Sequence, residues 1–253
     1  MASVDAYRFA TGAHLVKLHF ADHASPASAA RTSRRVLARL REHRILDVLE
    51  QRIGGVRAGS DGLVYHLGPV GDRLLREDHP TRARRRLGDP STRFLEHTLG
   101  ITGVAAALHE YARKRGGEVV TLAPEQPRSF TDLLGARQAI RPDLYAELAA
   151  TQAAEDIATF FIEVDMGSES IPTLIGKCLV YEEYRRSGEE QRRFGGFPII
   201  VWAMTARRPE TAQKRRHALA RAMEQHPKIM ARAYRIVPLN AASNEIFEEV
   251  RNA

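Results

Sequence analysis

Apolar residues recur at helical spacing twice near the start of the chain, over AYRFATGAHLVKLHF (6–20) and SPASAARTSRRVLARLREHRIL (25–46). In the second segment Ser25 followed by Pro26 predicts an N-cap with proline in the first turn. Ala30, Ser33, Val36, Leu37 and Leu40 share one side of this helix. At about 100° per residue, Arg31, Arg35 and Arg39 fall on the opposite side, flanked by Arg34 and Arg41. Next, ILDVLEQRIGGVRAGSDGLVYHLG (45–68) predicts a β-hairpin. GSDG (59–62) supplies the turn between two strand-like runs, and Leu63, Tyr65 and Leu67 alternate on one face. GPVGDRLLRE closes the unit.

From Thr92 onward helices and strands interleave. The pattern predicts helix 92–115, strands 118–123, 139–149 and 158–166, helix 172–186, strand 197–205, helix 209–226 and strand 228–239. FPIIVWAM is nearly continuous in apolar residues, as a strand buried on both faces requires. A helical pair ending in a basic helix and followed by a hairpin is the order of a winged helix-turn-helix, here residues 1–78. Residues 79–92 read as a basic linker containing the run Arg82 to Arg86, and 93–253 as an α/β domain of order αβββαβ.

Composition narrows the partner. The chain has 253 residues, 43% of them hydrophobic, enough for one large core or two moderate ones, and a net charge of +7 carried mostly by arginine. Guanidinium groups bind phosphate in a bidentate fork, so double-stranded DNA is the partner this charge favours. A helix with a narrow apolar seam and an arginine-dense outer face suits a DNA groove. Arg31, Arg34, Arg35, Arg39 and Arg41, joined by Arg57 before the hairpin turn, are its candidate contacts. A second copy of the chain stands as a further partner. The single cysteine, Cys178, cannot form an internal disulfide, and no Cys/His cluster has zinc spacing. With neither a leader nor a membrane-spanning apolar run evident, the expected location is the cytoplasm.

The candidate chemistry lies in the α/β domain. Asp143 follows a proline at a strand start, and Glu163 and Asp165, two apart in FFIEVDM, share one face of the pleat. Buried strand carboxylates need compensation. Two neighbouring carboxylate strands can hold Mg²⁺ or Mn²⁺, and Asp143, Glu163 and Asp165 are the candidate metal ligands. Ser170 predicts a cap for the following helix, from which Lys177, Tyr181 and Tyr184 project on one face. Lys177 can stabilise charge on a phosphate. The two tyrosines read as packing.

Elsewhere, His19 and His23 have i, i+4 spacing without an evident third ligand, and His97 beside Glu96 reads as structural. No GxxxxGK[ST] loop occurs, which argues against ATP or GTP hydrolysis, and a histidine cluster with a tyrosine nucleophile is not visible. Arg207, Arg208, Lys214, Arg215 and Arg216 surround a helix start and read either as an extension of a DNA surface or as a solvated face.

RPD, then FFIEVD in the next strand and a lysine in the next helix, resembles the PD-(D/E)XK nuclease superfamily, whose core has the order αβββαβ. The blocks GLVYHLGPVGDRLL, FLEHTLGITGVAAAL, RPDLYAEL and FFIEVDMGSESIPTLIGKCLVYEEYRRSG, in that order behind the basic helix, are similar to the replication-relaxation family of bacterial plasmids and other mobile elements. The resemblance covers most of the chain. It implies DNA binding in plasmid replication or transfer, with a nuclease-like C-terminal domain and with replication or transfer proteins as further partners. It further implies Asp143 and Glu163 as metal carboxylates and Glu96 as an auxiliary acid. One position departs from the pattern, because Asp165 stands where the superfamily has its lysine. A catalytic site then requires Lys177 in that role, or Asp165 as a further ligand. In the alternative, the domain binds DNA without cutting it.

Overall fold

A computed structural model of the protein describes residues 1–23, 25–49, 62–79, 81, 89–132 and 135–252. Arg57, most of the GSDG turn and the Arg82 to Arg86 run lie outside these residues. The chain forms two compact units, Met1–Glu110 and Tyr111–Ala253.

In the first unit the opening apolar pattern is not one helix. It divides into α1 (Ala2–Tyr7), the short strand β1 (Ala10–Thr11) and α2 (Gly12–His19). The break has a local cause. Arg8 adopts a positive φ of 66°, and the Thr11 side chain accepts from the His14 amide at 3.2 Å, starting a new helix. Burial, with the Lys17 charge adding to it, pushes the His14 imidazole down to about 4. α3 (Pro26–Glu42) begins as predicted, with the Ser25 hydroxyl accepting from the Ser28 amide at 3.2 Å. β2 (Leu46–Val48) and β3 (Val64–Leu67) pair antiparallel, and β1 joins the other edge of β3, giving the sheet order β1-β3-β2.

The predicted alternation in β3 holds. Tyr65, with Leu63 and Leu67, packs against Val4, Leu15, Leu37 and Leu46. Val64 faces the other way and is covered too, by Phe9, Leu95 and Leu99. α4 (Pro69–Asp78) is docked on the turn between α3 and β2, where the Val70 amide donates to the Arg44 carbonyl at 3.1 Å. Gly68 is required there, because a Cβ would overlap the Arg44 carbonyl oxygen. α5 (Thr92–Arg115) contributes its residues 92–110 to this unit, where the Thr102 hydroxyl donates to the Phe9 carbonyl at 2.8 Å.

The second unit is built on a mixed five-stranded sheet of β4 (Glu118–Pro124), β7 (Leu144–Ala149), β8 (Ala158–Asp165), β9 (Ile199–Met204) and β10 (Tyr234–Pro238), in the order β10-β9-β8-β7-β4. β4, β7 and β8 are antiparallel neighbours, whereas β8, β9 and β10 run parallel. The parallel strands are connected through α6 (Ile171–Ser187) and α8 (Pro209–Glu224). Ile200 to Met204 are all buried, as the apolar run required. Phe161, Trp202 and Met204 pack with Leu174, Cys178, Tyr181 and Tyr184 of α6 and with Leu219 and Met223 of α8.

The strand expected over 139–149 is two strands. β6 (Arg137–Ile140) pairs with β5 (Arg128–Thr131) in a separate hairpin, and β7 starts only at Leu144. Pro142 lies in the gap and has no amide to donate to a ladder. The hairpin turn is held by Asp132, whose carboxylate accepts from the Ala136 amide at 2.8 Å and from Gln138 Nε2 at 3.1 Å. The last predicted strand begins at Tyr234, not Lys228, because residues 231–233 form a 3₁₀ turn. Two short helices, α7 (Glu189–Phe194) and α9 (Ala242–Asn252), have no counterpart in the sequence reading. Among the described residues no helix is long and apolar enough to cross a membrane.

Candidate functional site

Strand pleat and register assemble a carboxylate site at the end of β8. The pairing ends with Leu144 opposite Ile162, so Asp143, the residue before β7, and Glu163, the residue after Ile162, leave it at the same end. On the other side the parallel register places Glu163 beside Trp202 and Asp165 beside Met204. Val164 N donates to Asp143 Oδ2 at 2.7 Å, tying the residue before β7 to β8. Glu163 is 6% exposed. Its Oε1 accepts from the Tyr181 hydroxyl at 2.6 Å.

α6 supplies the basic partner. Ser170 caps it as predicted, its hydroxyl accepting from the Thr173 amide at 3.3 Å, and Lys177 stands one turn before Tyr181. The Lys177 ammonium pairs with Glu169 at 2.9 Å and lies 5.9 Å from the centroid of the Trp202 ring, on the strand neighbour of Glu163.

Burial pushes the Glu163 carboxyl up to about 8, and the charges of Asp143 and Glu169 push the same way. The hydrogen bond from Tyr181 and the charge of Lys177 offset this only in part. Burial works to lower Lys177, but Glu163, Glu169 and Asp143 outweigh it and hold the ammonium above its ordinary value. Tyr181 is held well above its ordinary value by burial and by Glu163. A proton therefore resides on Glu163 near neutral pH.

Such a pair fits a hard divalent ion, which takes one or two carboxylates and completes its shell with water or phosphate oxygens. Asp165 does not extend the set. Arg215 NH2 donates to its Oδ2 at 2.6 Å and Gly167 N to its Oδ1 at 3.0 Å. Among the described residues no group of three or more His, Cys, Asp and Glu side chains could hold a metal ion. The same Arg215 nitrogen donates to the Glu169 carbonyl at 2.7 Å, so one guanidinium fastens the end of β8 to the loop that carries the partner of Lys177.

The structure thus brings Asp143, Glu163 and Lys177 together and turns Asp165 aside into an ion pair. Glu96 is exposed on the part of α5 that belongs to the first unit, whereas the other three belong to the second. Tyr181 and Tyr184 are packed, as expected, with Tyr181 bonded to Glu163 and Tyr184 to Glu190. Sequence reasoning missed Glu169 and the clamp by Arg215. The i, i+4 spacing of Lys177 and Tyr181 was the available signal for the Tyr181 bond. In the first unit Arg31, Arg34, Arg35, Arg39 and Arg41 are all exposed on α3, and among the described residues none of them is tied into an ion pair.

Fold and site together define a two-unit α/β protein with an arginine-studded helix in one unit and, in the other, a buried Glu163 flanked by Asp143 and Lys177. The chain belongs to the replication-relaxation family, whose model matches residues 1–200. No curated protein and no solved structure matches it. Membership suggests a role in the replication or transfer of plasmids or mobile elements.

Proposed function

We propose that this protein binds double-stranded DNA through its first unit and cuts it with its second. The order α1-β1-α2-α3-β2-β3 with sheet order β1-β3-β2 supports a winged helix-turn-helix, with α3 entering the groove through Arg31, Arg34, Arg35, Arg39 and Arg41. Three antiparallel strands followed by a helix and a parallel strand support a PD-(D/E)XK-like second unit.

The observation that carries the catalytic reading is the buried Glu163 beside the half-buried Asp143, with Lys177 in electrostatic reach of both. Asp143 and Glu163 would hold Mg²⁺ or Mn²⁺, which when bound activates water and polarises a phosphodiester. Tyr181 keeps Glu163 oriented through its hydrogen bond. Lys177 offsets negative charge developing on the phosphate. Arg215 anchors the loop bearing Glu169, the residue that holds the lysine.

Incubation with a supercoiled plasmid carrying the cognate origin, in Mg²⁺ or Mn²⁺, tests the reading. Nicked or linear product is expected from the wild type and none from Glu163→Ala. A second reading, DNA binding without cleavage, is favoured by the locking of Asp165, at the superfamily's lysine position, onto Arg215. Undiminished DNA binding with no product in either metal would establish that second reading and refute the first.

A further inference from the structure

The parallel strands β8 and β9 end side by side, and the loops leaving them are packed together. The Thr205 amide donates to the Asp165 carbonyl at 2.8 Å, and a Cβ on Gly167 would meet that of Ala206 at 2.9 Å. Arg207 and Arg208 follow directly, and α8 then carries Lys214 and Arg221 outward.

The six cations of this segment divide sharply. Arg215 is turned inward onto Asp165 and the Glu169 carbonyl. Arg207, Arg208, Lys214 and Arg221 are exposed, Arg216 is half-buried, and among the described residues none of these five is engaged in an ion pair. A seven-residue step keeps Lys214 and Arg221 on one face of α8, and Arg207 and Arg208 immediately precede the helix. At 1.5 Å per residue Lys214 and Arg221 stand about 10 Å apart along the helix axis. About three base pairs of duplex fit this length.

We propose that Arg207, Arg208, Lys214 and Arg221 form a second contact surface for the backbone of double-stranded DNA, distinct from α3 and leading to Asp143 and Glu163. The inference rests on the DNA-binding reading above and adds where the second unit grips. Four exposed cations that form no ion pair among the described residues, placed next to a site whose own substrate would be a phosphodiester, supply the charge complementarity. Arg215, half-buried, fixes α8 relative to Asp165. A merely solvated face needs no such attachment.

The test measures affinity of the full chain for a 30-base-pair duplex by fluorescence anisotropy across a salt series. Each lost phosphate contact reduces the slope of log K against log salt by about 0.9. Lys214→Gln with Arg221→Gln is expected to reduce it by about 1.8, and adding Arg207→Gln and Arg208→Gln by about as much again. Arg137→Gln with Arg232→Gln, which removes the same charge from exposed positions elsewhere in the second unit, is expected to leave the slope unchanged. Arg35→Gln with Arg39→Gln on α3 reports the first unit separately. Loss of affinity in the α3 variant with a wild-type slope in the α8 variants would overturn this inference and leave the α3 reading standing. Reduced slopes in the α8 variants but not in the α3 variant would do the reverse. Absence of duplex binding by the wild type would overturn both.

Discussion

Replacing Glu163 with glutamine keeps the shape of the side chain and an acceptor for Tyr181 while removing the titrating group. Glu163 holds its proton more tightly in the folded chain, at about 8, than at its ordinary value of 4.5. Its contribution to stability is therefore complete below about 4.5 and is lost as pH rises through about 8. Each unit is worth about 1.4 kcal/mol, so between pH 5 and pH 9 this one group takes away about 4 kcal/mol of stability. His14 works in the opposite sense at lower pH, since its folded value near 4 makes stability rise with pH up to about 6.5. Comparison of wild type with Glu163→Gln cancels that and every other shared contribution. Urea unfolding of both proteins at pH 5, 7 and 9 without divalent metal should show the variant close to wild type at pH 5 and several kcal/mol more stable at pH 9. Parallel stability–pH curves for the two would refute the argument that burial and Asp143 force a proton onto Glu163.

Further outcomes follow from the packing. Arg215→Gln leaves the carboxylate of Asp165, 3% exposed, without its cation and should cost about 3–5 kcal/mol in urea unfolding. The double variant Arg215→Met with Asp165→Leu should recover much of that loss, since both charges are then gone. Gly68→Ala sets a Cβ against the Arg44 carbonyl and should destabilise the first unit by about 2–3 kcal/mol, read from the same unfolding curves, while Gly176→Ala on α6, where a Cβ meets nothing, should not destabilise.

Local features of the fold were readable from neighbouring residues alone. Ser25 and Ser170 start helices because a hydroxyl two or three residues ahead of free amides is sufficient, and the continuous apolar run at Ile199–Met204 can only be a strand covered on both faces. Where a local signal was overridden, another local group did it. Thr11 interrupts the first apolar pattern, and Pro142 divides the segment that alternation read as one strand.

The placement of Glu163 and Asp165 on one face of β8 follows from the two-residue period of a strand, and the sequence alone determined it, as it determined that their charges would need compensation. What compensates each of them was decided only by the tertiary structure. The pairing of β7 with β8 brings Asp143 to the end of β8 that carries Glu163, α6 brings Tyr181 and Lys177 to it, and α8 reaches from fifty residues away in sequence to pair Arg215 with Asp165. Two carboxylates indistinguishable in pattern thereby acquire different states. Glu163 holds a proton near neutral pH because its neighbours are mostly other acids and apolar walls, and Asp165 is an ion-pair partner because a guanidinium lies 2.6 Å away. That difference depends on distances between elements remote in sequence, and no spacing along the chain encodes them.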